Sequence, residues 1–227
     1  VYRRYPRKLG GLIEDVADET LDAWRSQQIT QEPDITSWLM SAIDSRLKSR
    51  EVDGIKVETK VFSSSGLAAE ESRTGADFAN VLEISFPGFE IRKAFIAQAK
   101  KISRRHLDSR DVMRELMKDS KLESQCGKLL AITPASFVFV YKPDGCAVFP
   151  ALDVGALFAG SRRRPETYLH HKSIGAFYED FFKTFIGDHP VALRVDDMGK
   201  LDSFARGYEL PHALYLRIAP RTDLQMR

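Results

Sequence analysis

Apolar residues at Leu12, Ile13, Val16, Ala17, Leu21 and Trp24 recur every three to four positions with acids between them, so the spacing predicts a helix over residues 11–28. A second helix is expected after Pro33-Asp34, with Asp34 as its cap and Ile35, Trp38, Leu39, Ala42, Ile43 and Leu47 as one apolar stripe. Asp53-Gly54 reads as the turn that ends this helical pair. From Ile55 the period falls to two: Ile55, Val57, Thr59 and Val61 share one face, and Lys56, Glu58, Lys60 and Phe62 the other. Residues 78–86 and 91–99 read as two further strands joined at Pro87-Gly88, and the three strands together as an antiparallel meander.

A helical stretch over 109–130 follows, with looser spacing and a break near Ser120. Phe137-Val138-Phe139-Val140-Tyr141 has the continuous apolar character of a buried strand, and Pro143-Asp144-Gly145 turns it into Cys146–Phe149. A last helix over 174–186 should stop at Gly187, and residues 212–218 alternate like a closing strand. This order predicts a mixed α/β fold with a central mixed sheet flanked by helices. No repeat or long linker divides it, so one domain is expected over 1–227: N-terminal helices to residue 50, a core over 55–150 and a C-terminal elaboration over 151–227.

Composition narrows the class without naming a chemistry. An apolar share of 43% and a charged share of 29% are those of an ordinary folded domain. The longest uncharged run, over 129–141, is too short to span a bilayer and carries Pro134. Cys126 and Cys146 lack metal spacing and read as free thiols of a reducing compartment, so a cytoplasmic location is expected. A net charge of +2 announces no polyanion by itself, but basic residues gather in Lys100-Lys101-Ile102-Ser103-Arg104-Arg105-His106 and in Arg162-Arg163-Arg164, where phosphates could lie. His170-His171 point too far apart for one ion. Phosphate-binding Gly loops, dinucleotide Gly patterns and nucleophile elbows are absent from the sequence.

The chemistry-bearing pattern lies in the predicted hairpin. Thr74-Gly75-Ala76-Asp77-Phe78 places a carboxylate at the mouth of one strand, and Ala97-Gln98-Ala99-Lys100 ends its neighbour. Asp77 stands ten residues before Pro87 and Gln98 ten after Gly88, so the turn brings both to the same end. Strand alternation puts Gln98 and Lys100 on one face, about 7 Å apart. A carboxylate, an amide oxygen and the Ala99 carbonyl could then meet a hard cation such as Mg²⁺ or Mn²⁺, with Lys100 beside the attacking water.

On these residues, the stretch from about Glu70 to Pro150 resembles the PD-(D/E)xK nuclease superfamily in its Gln-x-Lys variant. The resemblance implies a restriction-endonuclease-like core and a divalent-metal-dependent DNA endonuclease of restriction or phage-defence type. It implies catalytic roles for Asp77, Gln98, Lys100 and an added acid, and metal contacts from Asp77, Gln98, Ala99 and that acid. Glu71 is the preferred acid, with Glu70, or Glu14 or Glu19 on the first helix, as alternatives. Lys101, Arg104 and Arg105 would contact the DNA backbone, Gln125 could face the site, and a homodimer or larger defence complex would be the expected assembly. A nuclease-like module that binds nucleic acid or protein without cutting is the alternative that the neutral Gln98 permits.

Overall fold

The computed structural model describes residues 4–64, 74–104, 108–159, 170–192, 195 and 197–221. The chain runs α1 (Tyr5–Arg25), α2 (Glu32–Leu47), β1 (Glu51–Val52), β2 (Ile55–Ser63), β3 (Phe78–Phe86), β4 (Phe89–Lys101), α3 (Ser109–Leu116), α4 (Leu122–Ile132), β5 (Ser136–Lys142), β6 (Gly145–Pro150), α5 (Ala151–Ala159), β7 (Lys172–Ser173), α6 (Ile174–Phe182), α7 (His189–Ala192), a short 3₁₀ turn, α8 (Leu201–Gly207) and β8 (His212–Pro220). The described strands form one mixed sheet in the order β1-β2-β8-β3-β4-β5-β6-β7.

Strand alternation divides the core in two. Phe78, Leu82, Phe95, Ala97, Ala99, Phe139, Leu214 and Leu216 face α1, α2 and α6 in one cluster. Their strand neighbours Ala79, Val81, Ala94, Ile96, Val138, Val140, Ala213 and Tyr215 face α3, α4, α5 and α8 in the other. Because both faces of the sheet are covered, β3 is buried almost throughout, where a one-sided strand would alternate, and its buried Asn80 and Glu83 are hydrogen-bonded to Tyr178 and Tyr215. The first cluster is strongly aromatic: Phe95 meets Phe78, Phe137, Phe177 and Phe181 edge-on.

The predicted α/β class and flanking helices are present, but the three-strand meander is not. Of its three strands only β3 and β4 pair with each other, as an antiparallel hairpin turned by Pro87 and by Gly88 at φ +75°. β8 lies between β2 and β3, antiparallel to the first and parallel to the second. The reason is burial: β8 carries apolar residues on both faces and is satisfied only in the middle of the sheet.

Smaller differences have local causes. Asp34 does not cap α2; the helix begins one turn earlier at Glu32, with extended Gln31 before it and Pro33 in its first turn. Trp38 is exposed, outside the stripe expected of it. The helix predicted over 109–130 breaks into α3 and α4, as expected near Ser120. α6 stops at Phe182, before Gly187, and α7 and α8 follow it. Among the described residues no helix is long and apolar enough to cross a membrane.

Candidate active site

β4 outruns β3. The hairpin register closes at Phe78 opposite Ala97, with the Asp77 N–H donating to the Ala97 carbonyl at 2.8 Å, so residues 98–101 project past the end of their partner. Exposed strand amides need acceptors. Two carboxylates supply them in succession: Asp77 Oδ2 accepts from the Ala99 N–H at 2.7 Å, and Glu32 Oε2 accepts from the Lys101 N–H at 2.6 Å. The projecting edge of β4 thereby collects two acids.

The alternation that sorts the two cores also places the predicted residues. Asp77 shares strand parity with Ala79 and Val81, and Gln98 and Lys100 share it with Ala94 and Ile96, so all three side chains lie on the α3–α4 side of the sheet. The Gln98 Nε2 donates to Asp77 Oδ2 at 2.5 Å and to the Ala99 carbonyl at 3.1 Å. Lys100, only 14% exposed, pairs with Asp119 at 2.8 Å, a residue between α3 and α4. Asp77, Gln98, Ala99 and Lys100 are therefore brought together.

Burial pushes the Asp77 carboxyl up to about 7, and the nearby Glu32 adds to the rise; the Ala99 amide, Lys100 and Gln98 oppose it. Burial also raises Glu32, with Lys100 and the Lys101 amide opposing. Asp119 is raised by burial but held below the ordinary carboxylate value by hydrogen bonds from Lys100 and the Lys121 amide. Asp77, Glu32 and Asp119 all interact with Lys100, and Glu32 with Lys101 as well.

Glu32 is the residue that sequence reasoning missed. An acid in the first turn of a helix is explained by the helix dipole alone, so nothing local sets it apart. Its place is fixed from two sides. The Thr36 hydroxyl donates to the Glu32 carbonyl at 3.2 Å and lies 3.2 Å from the buried Tyr141 hydroxyl, which ties the first turn of α2 to β5. The Lys101 ammonium donates to the Thr30 carbonyl at 2.7 Å and sits over the Trp24 ring, tying the α1–α2 loop to β4.

Several expectations change accordingly. The Lys101 ammonium, assigned to the DNA backbone from sequence, donates to the Thr30 carbonyl of the α1–α2 loop. Neither helix acid considered on α1 reaches the site: Glu14 accepts from Ser173 and the Gly175 N–H, and Glu19 pairs with Arg46. Arg104 is exposed and paired with Glu115. Glu70, Glu71, Arg105, His106 and Arg162-Arg163-Arg164 lie outside the described residues.

The lead-in to Asp77 packs against α4. Gly75 has φ +67°, and a Cβ there would stand 3.0 Å from the Gln125 carbonyl oxygen and 3.1 Å from its Cα. Gly75→Ala is expected to lower stability by about 1–2 kcal/mol from the left-handed backbone alone, with the close approach adding to that; urea unfolding measures it. An unchanged midpoint would refute this account of the lead-in.

The donor set suits a hard divalent ion: two carboxylates, a strand-edge carbonyl and an amide that could turn its oxygen inward. The buried Gln125 Oε1, on the helix packed against Gly75, has no hydrogen-bond partner among the described residues. Among the described residues no three His, Cys, Asp or Glu side chains converge as a metal cluster, so such an ion would depend on amide and carbonyl oxygens as well. No family model matches the chain, and neither does any curated protein or solved structure.

Proposed function

We propose that this protein is a divalent-metal-dependent DNA endonuclease of the PD-(D/E)xK kind, of restriction or phage-defence type, with its active centre at the projecting end of β4. The observation that carries the reading is the meeting of Asp77, Gln98 and Lys100 on one face of the sheet, with Glu32 accepting from the next outward amide of the same strand. Asp77, Glu32, the Ala99 carbonyl and Gln98 would hold Mg²⁺ or Mn²⁺. When bound, the ion would polarise a phosphoryl oxygen and acidify a water.

The chain's own groups do the rest. Lys100 presents its ammonium on the same face as Asp77, where it orients the attacking water and offsets the negative charge that gathers on the pentavalent phosphorus. Asp119 keeps that ammonium in place. The Ala99 and Lys101 amides fix the two carboxylates, so the acids need no rearrangement to present their remaining oxygens.

Supercoiled plasmid incubated with the protein in Mg²⁺ or Mn²⁺ is expected to be nicked or linearised. Lys100→Ala should slow this by at least about a hundredfold, the scale of losing one preorganised charge partner. Glu32→Gln should raise the Mn²⁺ concentration needed for half-maximal rate. Plasmid left intact in both metals would overturn the reading. It would favour a module that binds without cutting, a reading supported by the Gln98 amide, which already donates to both Asp77 and the Ala99 carbonyl.

A further inference from the structure

Helix α3 has the makings of a phosphate-contacting surface. Arg110, Arg114 and Lys118 follow one another at four-residue spacing, which stacks them on one side about 6 Å apart along the axis. The helical path continues past Leu116 through hydrogen bonds from the Met117 N–H to the Met113 carbonyl and from the Lys118 N–H to the Glu115 carbonyl, so Lys118 stays in line and the exposed Lys121 follows. The opposite side of α3, Val112, Met113 and Leu116, is buried against the sheet. The stripe therefore points away from the protein by necessity.

Acids are interleaved with these bases but sit lower. The side chains of Arg114 and Lys118 are 66% and 68% exposed, whereas Asp111, which pairs with Arg114 at 3.0 Å, is 39% exposed and Glu115 is 20% exposed. Glu115 is shared between Lys118 and Arg104, so one carboxylate stands against two cations. Asp119 turns inward to hold Lys100 at 2.8 Å. Along α3 and its extension the cations Arg110, Arg114 and Lys118 outnumber the acids Asp111 and Glu115, and exposed ion pairs of this kind yield readily to another anion.

Position gives the stripe its meaning. The segment that carries it ends at Asp119, in contact with Lys100, so a strand of phosphates laid along α3 would be delivered to the candidate active site. From Arg110 to Lys118 is about 12 Å of helix, the length over which one DNA strand presents three to four phosphates at about 3.4 Å of axis each.

We propose that Arg110, Arg114, Lys118 and Lys121 form the surface that docks the phosphate backbone of double-stranded DNA and leads it to Lys100. The inference rests on the nuclease reading for its purpose but not for its test. The neighbouring Lys101, assigned this task from sequence, donates to the Thr30 carbonyl of the α1–α2 loop.

The test measures binding of a mixed-sequence duplex of about two helical turns, in EDTA so that nothing is cut, over a range of salt. A variant with Arg110→Gln, Arg114→Gln and Lys118→Gln is compared with a charge-matched control bearing Arg46→Gln, Lys48→Gln and Arg50→Gln around the end of α2, which packs on the other face of the sheet. Far-UV circular dichroism verifies that both fold. The α3 variant is expected to lower the slope of log affinity against log salt by about three, one per lost phosphate contact, while the control changes it by less than one. Equal slopes for variant and control overturn the proposal, and wild-type binding in that case leaves the nuclease reading standing. A loss confined to the α3 variant, in a protein that cuts nothing in Mn²⁺, upholds the docking surface and removes the nuclease. Absence of wild-type binding overturns both.

Discussion

Replacing Asp77 by asparagine should make the metal-free protein more stable at pH 8 by about 2–4 kcal/mol, from a carboxyl raised by some three units at about 1.4 kcal/mol each, and should leave it little changed near pH 4. Burial pushes the Asp77 carboxyl up to about 7, above its value in the unfolded chain. Between about pH 4 and 7 the folded state therefore holds a proton that the unfolded state has released, and stability from this group falls as pH rises through that window. Above pH 7 the penalty is complete. The carbonyl oxygen of the substituted amide could still accept the Ala99 and Gln98 hydrogen bonds without carrying the charge. Urea unfolding of both proteins at pH 4 and pH 8 measures the difference; equal stability at pH 8 would show that the buried carboxylate carries no such strain. The same variant should lose Mn²⁺-dependent stabilisation, because an ion that binds the folded state raises its stability only where it binds.

The second large effect has the opposite slope. His212 begins β8, only 7% exposed, with its Nδ1 3.2 Å from the Ser63 hydroxyl, and burial pushes its imidazole down to about 4. Here the unfolded chain takes up a proton first as pH falls, near 6.5, so this group's contribution is present at pH 7 and is lost on acidification toward 4. The loss amounts to about 3 kcal/mol for a shift of some two and a half units. Asp77 and His212 oppose each other over nearly the same window, and the wild-type protein should show a shallow pH profile as their sum. Each variant exposes the other group: Asp77→Asn should become steadily more stable from pH 4 to 6.5, and His212→Asn steadily less. Parallel profiles in all three proteins would contradict both assignments.

How much of this was readable from sequence depends on how far apart the partners lie. The Asp77, Gln98 and Lys100 constellation was legible because one tight turn at Pro87-Gly88 sets the register of a hairpin, and counting from the turn aligns the two strand ends. Glu32 was not legible. It reaches β4 across a helix packing that sequence does not encode locally, and first-turn acids are common for unrelated reasons. The insertion of β8 between β2 and β3 was equally hidden, since alternation says that a segment is a strand but not which neighbours it takes. The separation of Lys100 from Lys101 was hidden for a related reason: a run of cations in sequence is divided by strand alternation, so the two point to opposite sides.

The central position of β8 bears on how the molecule assembles. Glu83 of β3 and Tyr215 of β8 are hydrogen-bonded although 132 residues separate them, and the ladders on both sides of β8 join distant stretches of chain. During synthesis, the β2 segment and the β3–β4 hairpin emerge long before the strand that unites them, leaving two unpaired edges open to neighbouring polypeptides. Slow folding dominated by such late, long-range pairing follows, and a nascent chain halted before residue 212 would be a strong client for chaperones.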